Sequence, residues 1–330
     1  MDYRSQFSKL KRLASFPVMK IFLSATIPPI LEHMFLEETC LPSSTKWIRA
    51  STTRPNLRYH VFQVDNHVKH VQKVAANLAN YLQDTHFNTN TRGIIFCINI
   101  ETVEKLGSLL GSSISHSKMD HSVRITQQNM WFEGTSKWMV ASPGFLHGID
   151  HPGVDAVIFV GIPYGLINIE QGSGRAGRAG QEANIFLLNN PYEYWLDDGR
   201  PETDPECRQA ATLFTRNSTD CRRYQMTKFM NGTGLICGEV DGALLCDVCK
   251  PTSELINVVL KFMEPEPSPP ASPGRDTLVL ENPQDILDQV ETDHVNQEDT
   301  LSEDFFDEFD KFCSNGICKH FINNNNICLS

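Results

Sequence analysis

The sequence predicts an α/β protein: an open, mostly parallel sheet covered by helices, followed by a small cysteine-bearing module and a disordered acidic tail. Three observations predict it. From about Thr45, short apolar runs alternate with helix-length amphipathic segments through residue 190, the pattern of strands joined by crossover helices. The run Gly93 to Ile98 is apolar almost throughout, as in a parallel strand buried on both faces. The composition then changes twice. Residues 191–260 are polar and hold five cysteines, and around Pro265, from Glu264, the chain reads E-P-E-P-S-P-P-A-S-P-G, a proline-rich linker.

Taken in order, Phe7 to Phe16 predicts a short amphipathic helix, with Phe7, Leu10, Leu13 and Ala14 at helical spacing and Pro17 as its stop. Val18 to Leu23 predicts a strand. After the polar turn Ser24-Ala25-Thr26, Pro28-Pro29 opens a helix through about Glu38, proline being tolerated in a first helical turn. A strand-helix unit so early is expected to be the end of a domain, residues 1–44. The α/β domain, 45–190, then predicts strands at Tyr59–Val64, Gly93–Ile98, Ser113–His116, Trp138–Ala141, Ala156–Val160 and Ala183–Leu188. Helices are predicted at Val68–Leu82, Glu101–Leu110, Ser122–Phe132 and, shorter, from Ile169 to Gly174. Residues 191–262 form the cysteine module, with a helix at Arg222–Met230. Residues 263–330 are linker and tail.

The 330 residues carry a net charge of −11. The stretch 263–330 holds 15 acidic and 3 basic residues, whereas residues 1–262 are nearly balanced at +1. The acidity therefore belongs to the tail, and a local basic patch on the body is enough for a nucleic-acid contact. Within the tail, Phe305, Phe306, Phe309 and Phe312 have helical spacing and offer a segment that folds on a basic partner protein, against the prevailing reading of an unstructured acidic tail. The start shows no secretory signal, and no run of 18 apolar residues exists for a membrane span. The ten cysteines are thus expected to be reduced, in a nuclear or cytosolic compartment. The sequons at Asn217 and Asn231 are then chance matches.

Three constellations carry chemistry. The first is Gln171-Gly-Ser-Gly174-Arg175-Ala-Gly177-Arg178. Two arginines three apart on a helical turn would point the same way, and their guanidinium forks suit phosphate oxygens and charge developing on a transferring phosphoryl group. The same stretch contains a literal G-x-G-x-x-G at Gly172, Gly174 and Gly177. No strand immediately precedes it, and Asp197 lies beyond the next strand, so the dinucleotide reading fails. The second is the loop Gly144-Phe-Leu-His-Gly148-Ile-Asp150, which directly follows a strand and ends in a carboxylate; ligands in open α/β sheets meet loops at the carboxyl ends of strands. The third is Cys221, Cys237, Cys246 and Cys249. Four thiolates suit a tetrahedral structural zinc, and the C-x-x-C pair lacks the βαβ setting of a redox motif. Cys207 is a possible substitute ligand. Cys313, Cys318 and Cys328 sit in the tail, and Cys40 and Cys97 are expected to be packed.

These motifs, in this order, resemble the RecQ family of ATP-dependent 3'-5' DNA helicases within superfamily 2, over nearly all of residues 1–250. Leu23-Ser-Ala-Thr26 resembles motif III, and Gly93-Ile-Ile-Phe-Cys-Ile98 motif IV. His116, Lys118, Met119, Asp120 and Arg124 resemble the segment after it. Ala141-Ser142 with Gly148, Ile149 and Asp150 resembles motif V. Gln171, Gly174, Arg175, Gly177 and Arg178 match motif VI, Q-x-x-G-R-x-G-R. Cys221-Arg-Arg223 and Cys246-Asp-Val-Cys249 resemble the family's zinc-binding subdomain.

The resemblance implies a RecA-like helicase C-terminal domain, a zinc-binding helical subdomain, and DNA and ATP as partners. It implies that ATP sits between two domains, with Arg178 as the finger, Arg175 its neighbour and Gln171 orienting the site. Gly148 and Asp150 would link nucleotide state to the strand, with Gly174, Gly177, Ser24 and Thr26 in nucleotide-binding or coupling positions. The chain departs from the family in several places. It contains neither G-x-x-x-x-G-K-[ST] nor D-E-x-H, so the phosphate cradle and the magnesium ligand are missing. Ser142, Pro143 and His147 replace residues commonly Thr, Ala and Met. The segment between motif VI and Cys221 is short, and the winged-helix signals are absent. The expectation is an N-terminally truncated helicase that does not hydrolyse ATP alone, or a non-catalytic DNA- or protein-binding remnant.

Overall fold

The structure, a computed structural model, describes residues 12, 15–16, 18–64, 68–146, 149–190 and 205–264. Most of the helix expected over Phe7–Phe16, and the tail from Pro265 onward, lie outside the described residues. Six strands form one sheet: β1 (Leu57–Gln63), β2 (Arg92–Cys97), β3 (Ser113–Ser115), β4 (Trp138–Ala141), β5 (Val154–Val160) and β6 (Ala183–Asn189). Their order is β1-β6-β5-β2-β4-β3, and every pairing is parallel. β2 and β4 are buried at every residue, as both faces are covered.

Alternate side chains feed two cores. Ile94, Phe96, Val157, Phe159, Ile185 and Leu187 face one layer. That layer includes α4 (His121–Glu133), α5 (Leu166–Ser173), α6 (Pro205–Arg216) and α7 (Arg222–Asn231), preceded in the chain by α1 (Glu32–Thr39). Ile95, Cys97, Ile158, Phe186 and Leu188 face the other, built from α2 (Val68–Thr85), α3 (Ile100–Leu110) and α8 (Glu254–Met263). Local chemistry fixes the helix ends. The Asn99 side chain accepts from Thr102 N at 2.8 Å to cap α3. At the end of α4, buried Arg92 donates from Nε to Trp131 O at 2.7 Å. Gly134 follows with φ +90°, and a Cβ there would collide with that guanidinium.

The strand expected over Val18–Leu23 is not formed. These residues make a unit separate from Ser24–Glu264, and no ladder includes them among the described residues. An apolar run favours extended backbone, but a strand needs a neighbour to pair its N–H and C=O groups. Two helices escaped the sequence reading, α6 and α8. The second is strongly amphipathic and buries Leu255, Ile256 and Val259 against α2 and the sheet, so the chain returns to the α/β domain after the cysteines. Cys97 is buried as expected, whereas Cys40 is exposed, at a left-handed turn (φ 52°) that closes α1. No helix among the described residues is long and apolar enough to cross a membrane.

Candidate arginine site and metal centre

α5 runs from the carboxyl end of β5 back toward the start of β6, so it delivers Arg175 and Arg178 to the amino-terminal edge of the sheet. The two are not on a helical turn: α5 ends at Ser173, with Gly174 as its C-cap. Gly177 then adopts φ +62°, which reverses the chain between them. A Cβ on Gly177 would collide with Asn56 Nδ2 and come within 2.9 Å of Gln181 O, so the position requires glycine. Gly174 (φ −64°) does not need glycine for its backbone angle, although a Cβ there would press on Glu170 O at 3.2 Å.

The loop carrying Asp150 crosses from the carboxyl end of β4 to the amino end of β5. The expectation that this carboxylate sits at the carboxyl edge is therefore corrected: the crossover carries it across the sheet. There Arg178 Nη1 donates to Asp150 Oδ1 at 2.6 Å and Arg178 Nε to Gly174 O at 3.2 Å. Arg175 Nη1 donates to Ile149 O at 2.8 Å, while its Nε is buried with no hydrogen-bond partner. Burial and the neighbouring Arg178 hold the Arg175 guanidinium below the ordinary arginine range, with Asp150 opposing them. The Arg178 and Asp150 side chains are 30% and 78% exposed. Their mutual pairing is thus cheap to exchange for another partner.

Gln171, on α5, donates from Nε2 to Thr26 Oγ1 at 3.0 Å. Thr26 N donates in turn to Ser24 Oγ at 3.2 Å. The sequence-distant Ser24-Ala-Thr26 turn is therefore joined to the helix that leads to the arginines. Gly148 and His147 lie outside the described residues.

Residues not singled out from the sequence hold this loop. Arg54 Nη2 donates to Ala176 O (3.1 Å) and Gly177 O (2.7 Å). Asn56 Nδ2 donates to Gly177 O (2.8 Å) and Gln181 O (2.7 Å). Behind them lies Glu170, whose Oε2 has no hydrogen-bond partner. Burial pushes its carboxyl up to about 7, against the pull of Arg54, a hydrogen bond with Tyr59, and Arg223. Burial likewise raises Tyr59, with Glu170 adding to it. In the sequence, Arg54-Pro-Asn56 carries only the signal of a turn before a strand.

The four cysteines converge. Cys221 caps the start of α7, Cys237 opens a short 3-10 turn, and Cys246 and Cys249 lie on the following loop. Their sulfurs all fall within 4.8 Å of one another, with Cys221–Cys237 at 3.5 Å and Cys221–Cys246 at 3.9 Å. Zn–S bonds of about 2.3 Å in a tetrahedron place sulfurs ~3.8 Å apart, so the set fits a structural zinc. S–H donation from Cys237 and Cys246 holds the Cys221 thiol well below the ordinary range. Donation to Cys221 pushes Cys237 up, and burial pushes Cys249 up to about 12. A dication is what allows all four to ionise together. Cys207, on α6, is not in the cluster.

This module covers the open edge of β1. Leu244 N donates to Pro55 O (2.9 Å), Arg223 Nη2 to Leu57 O (2.9 Å) and Asp247 N to Tyr59 O (3.0 Å). Val61 N donates to Asp247 Oδ2 at 3.0 Å. The exposed ladder of an edge strand is thereby occupied. Asp247 also receives two parallel bonds from buried Arg222, Nε to Oδ1 at 2.9 Å and Nη2 to Oδ2 at 3.0 Å.

Residues 73–180 match the model of the helicase conserved C-terminal domain. The chain is similar to the ATP-dependent DNA helicase hus2/rqh1 of Schizosaccharomyces pombe, 26% identical over 272 residues that cover 75% of this chain and 19% of that protein. It is 27% identical over 276 residues to the RecQ-like DNA helicase blm-1 of Caenorhabditis elegans, covering 76% and 26% of the two chains. To the putative ATP-dependent DNA helicase Q1 of the same organism it is 32% identical over 240 residues, covering 69% and 37%. The aligned part spans about a fifth to a quarter of the length of the first two.

Proposed function

We propose that this chain, a superfamily 2 helicase domain related to RecQ-like helicases, is the second motor half of an ATP-driven 3'-5' DNA helicase. In this reading Arg178 and Arg175 face the phosphates of an ATP held by a complementary half. The observation that carries it is the pair itself. Two guanidinium groups share one edge of the sheet, Arg178 tied to an exposed carboxylate and to Gly174 O, and Arg175 keeping a buried, unpaired Nε–H. An incoming phosphate offers acceptors to both. Arg178 exchanges Asp150 for a phosphate oxygen, and charge developing on the transferred phosphoryl group then meets a cation already in place. Gln171, hydrogen-bonded to Thr26, passes the position of that group to the Ser24–Thr26 turn, and Gly148, Asp150, Gly174 and Gly177 shape the path. Zinc stabilises the module on β1. Mg2+ and the phosphate cradle come from the partner half, since the 330 residues contain neither G-x-x-x-x-G-K-[ST] nor D-E-x-H.

The test is complementation. Alone, the chain should show no ATPase activity. Mixed with a purified domain bearing both missing motifs from a RecQ-like relative, it should stimulate DNA-dependent ATP hydrolysis. Arg178→Ala should remove roughly 10³-fold of that rate, the scale of an arginine finger. Stimulation that survives Arg178→Ala unchanged would sink the assignment.

The same missing motifs favour a second reading, a non-catalytic DNA- or protein-binding module. It predicts DNA binding by the isolated chain that weakens steeply with salt, and no stimulation in the complementation assay. A nuclear location, and a basic protein partner for the acidic tail, belong to either reading and are tested by imaging and by pull-down with and without residues 263–330.

A further inference from the structure

The arginine loop is clamped from a segment of the chain more than a hundred residues away. Gly177 O accepts from both Arg54 Nη2 and Asn56 Nδ2, at 2.7 and 2.8 Å. The same two groups reach outward along the loop on either side, Arg54 to Ala176 O and Asn56 to Gln181 O. Gly177 N donates to Val154 O at 2.9 Å. The residue that reverses the chain between Arg175 and Arg178 is therefore fixed at its N–H and twice at its C=O. The clamp is itself braced. Ala183 N donates to Asn56 O at 2.9 Å, at the point where the β1–β6 ladder begins. Arg223, two residues after the metal ligand Cys221, donates from Nη1 to Arg54 O at 2.8 Å.

We propose that Arg54 and Asn56 are positioning residues for the arginine loop, and that Arg223 links that clamp to the metal module. A left-handed turn anchored at one residue transmits displacement well, because both arginines pivot about Gly177. Loosening the metal module frees Arg223, releases the Arg54 backbone, and lets the loop swing Arg178 away from Asp150. The function assigned to the arginines rests on the ATP reading above. Their placement by the clamp does not.

The experiment uses the full, zinc-loaded chain. Asn56→Asp keeps the shape but removes both donors, and Arg54→Lys keeps the charge but ends about one bond short of the guanidinium Nη2, which withdraws the donor from both carbonyls. Three readouts apply: tryptic cleavage after Arg178 under native conditions, hydrogen exchange of the Gly177 amide, and the side-chain 15N resonance of Arg178, which reports its pair with Asp150. Losing two hydrogen bonds should raise loop opening roughly tenfold or more. Cleavage after Arg178 and Gly177 exchange are expected to rise by that factor in each variant, while cleavage after Lys105 and the zinc content stay unchanged. The Arg178 resonance should move to the position of a free arginine. Arg223→Lys should also speed the cut at Arg178, but add nothing on the Arg54→Lys background.

Unchanged cleavage and resonance in both clamp variants would overturn the proposal, as would equal acceleration at every site, which marks a general loss of fold. Additive effects of Arg223→Lys and Arg54→Lys would remove the link to the metal module. If Arg178→Ala leaves complemented ATPase activity intact while these readouts respond, the ATP reading fails and the clamp stands.

Discussion

Replacing Asp247 with alanine isolates what anchors the metal module to the sheet. Asp247 is the counter-charge of Arg222, and the two side chains are only 13% and 4% exposed. Arg222 reaches it with two parallel bonds and spends a third donor, Nη1, on Phe214 O at 2.6 Å. The carboxylate also accepts from Val61 N on the edge strand. Removing it leaves a buried guanidinium without its anion and a strand N–H without its acceptor. Breaking one partner of a buried ion pair costs about 3–5 kcal/mol, a large part of the ~5–15 kcal/mol that holds a typical domain. With a urea dependence of about 2–3 kcal/mol/M, the unfolding midpoint should fall by roughly 1.5 M. The assay is urea denaturation followed by far-UV circular dichroism in zinc-saturated buffer, with zinc release as a second signal. Two controls calibrate it. Glu101→Gln breaks the exposed Lys105–Glu101 pair on α3 and should leave the midpoint essentially unchanged, because solvent screens the pair. Arg222→Met combined with Asp247→Leu removes both charges and should recover most of the loss. If Asp247→Ala costs no more than Glu101→Gln, the pair is not what holds the module, and the argument from burial is wrong.

Further outcomes follow from the same geometry. Gly177→Ala forces a side chain into a left-handed turn against Asn56 and should cost about 1–3 kcal/mol by thermal denaturation; a neutral result would mean the loop relaxes freely. Metal analysis should find one zinc per chain, lowered by Cys249→Ser and unaffected by Cys207→Ser. Glu170 gives a pH signature. Its folded carboxyl titrates near 7 against an ordinary value of 4.5, so between those values the native state binds the extra proton and stability falls as pH rises through the window. Glu170→Gln has no carboxyl to ionise and should lose this slope, gaining about 1–3 kcal/mol on the native chain by pH 8. Parallel stability–pH curves for the two proteins would show that Arg54 and Arg223 fully offset the burial.

Much of the fold was legible because it rests on short-range chemistry. The near-continuous apolar run Gly93–Ile98 announced a strand buried on both faces, and the periodicity of Glu101–Leu110 announced α3 within a residue of its ends. The sequence by itself also named the two arginines, Asp150 and the four cysteines, since residue type and order carry those signals. It did not show that the arginines lie beyond the end of α5 or that Asp150 reaches the amino edge of the sheet. Nor did it show that Val18–Leu23 finds no ladder. It passed over Arg54 and Asn56, and it marked Arg222 and Arg223 only by resemblance to a zinc-binding subdomain; what all four do exists only through contact. Arg54 meets Gly177 across 123 residues of chain, and Arg223 meets Arg54 across 169. Propensity and periodicity act over a few residues, whereas a hydrogen bond between distant segments depends on where the sheet sets their ends. Only the tertiary structure, by drawing the starts of β1, β5 and β6 to one edge, turned an arginine motif into a held loop.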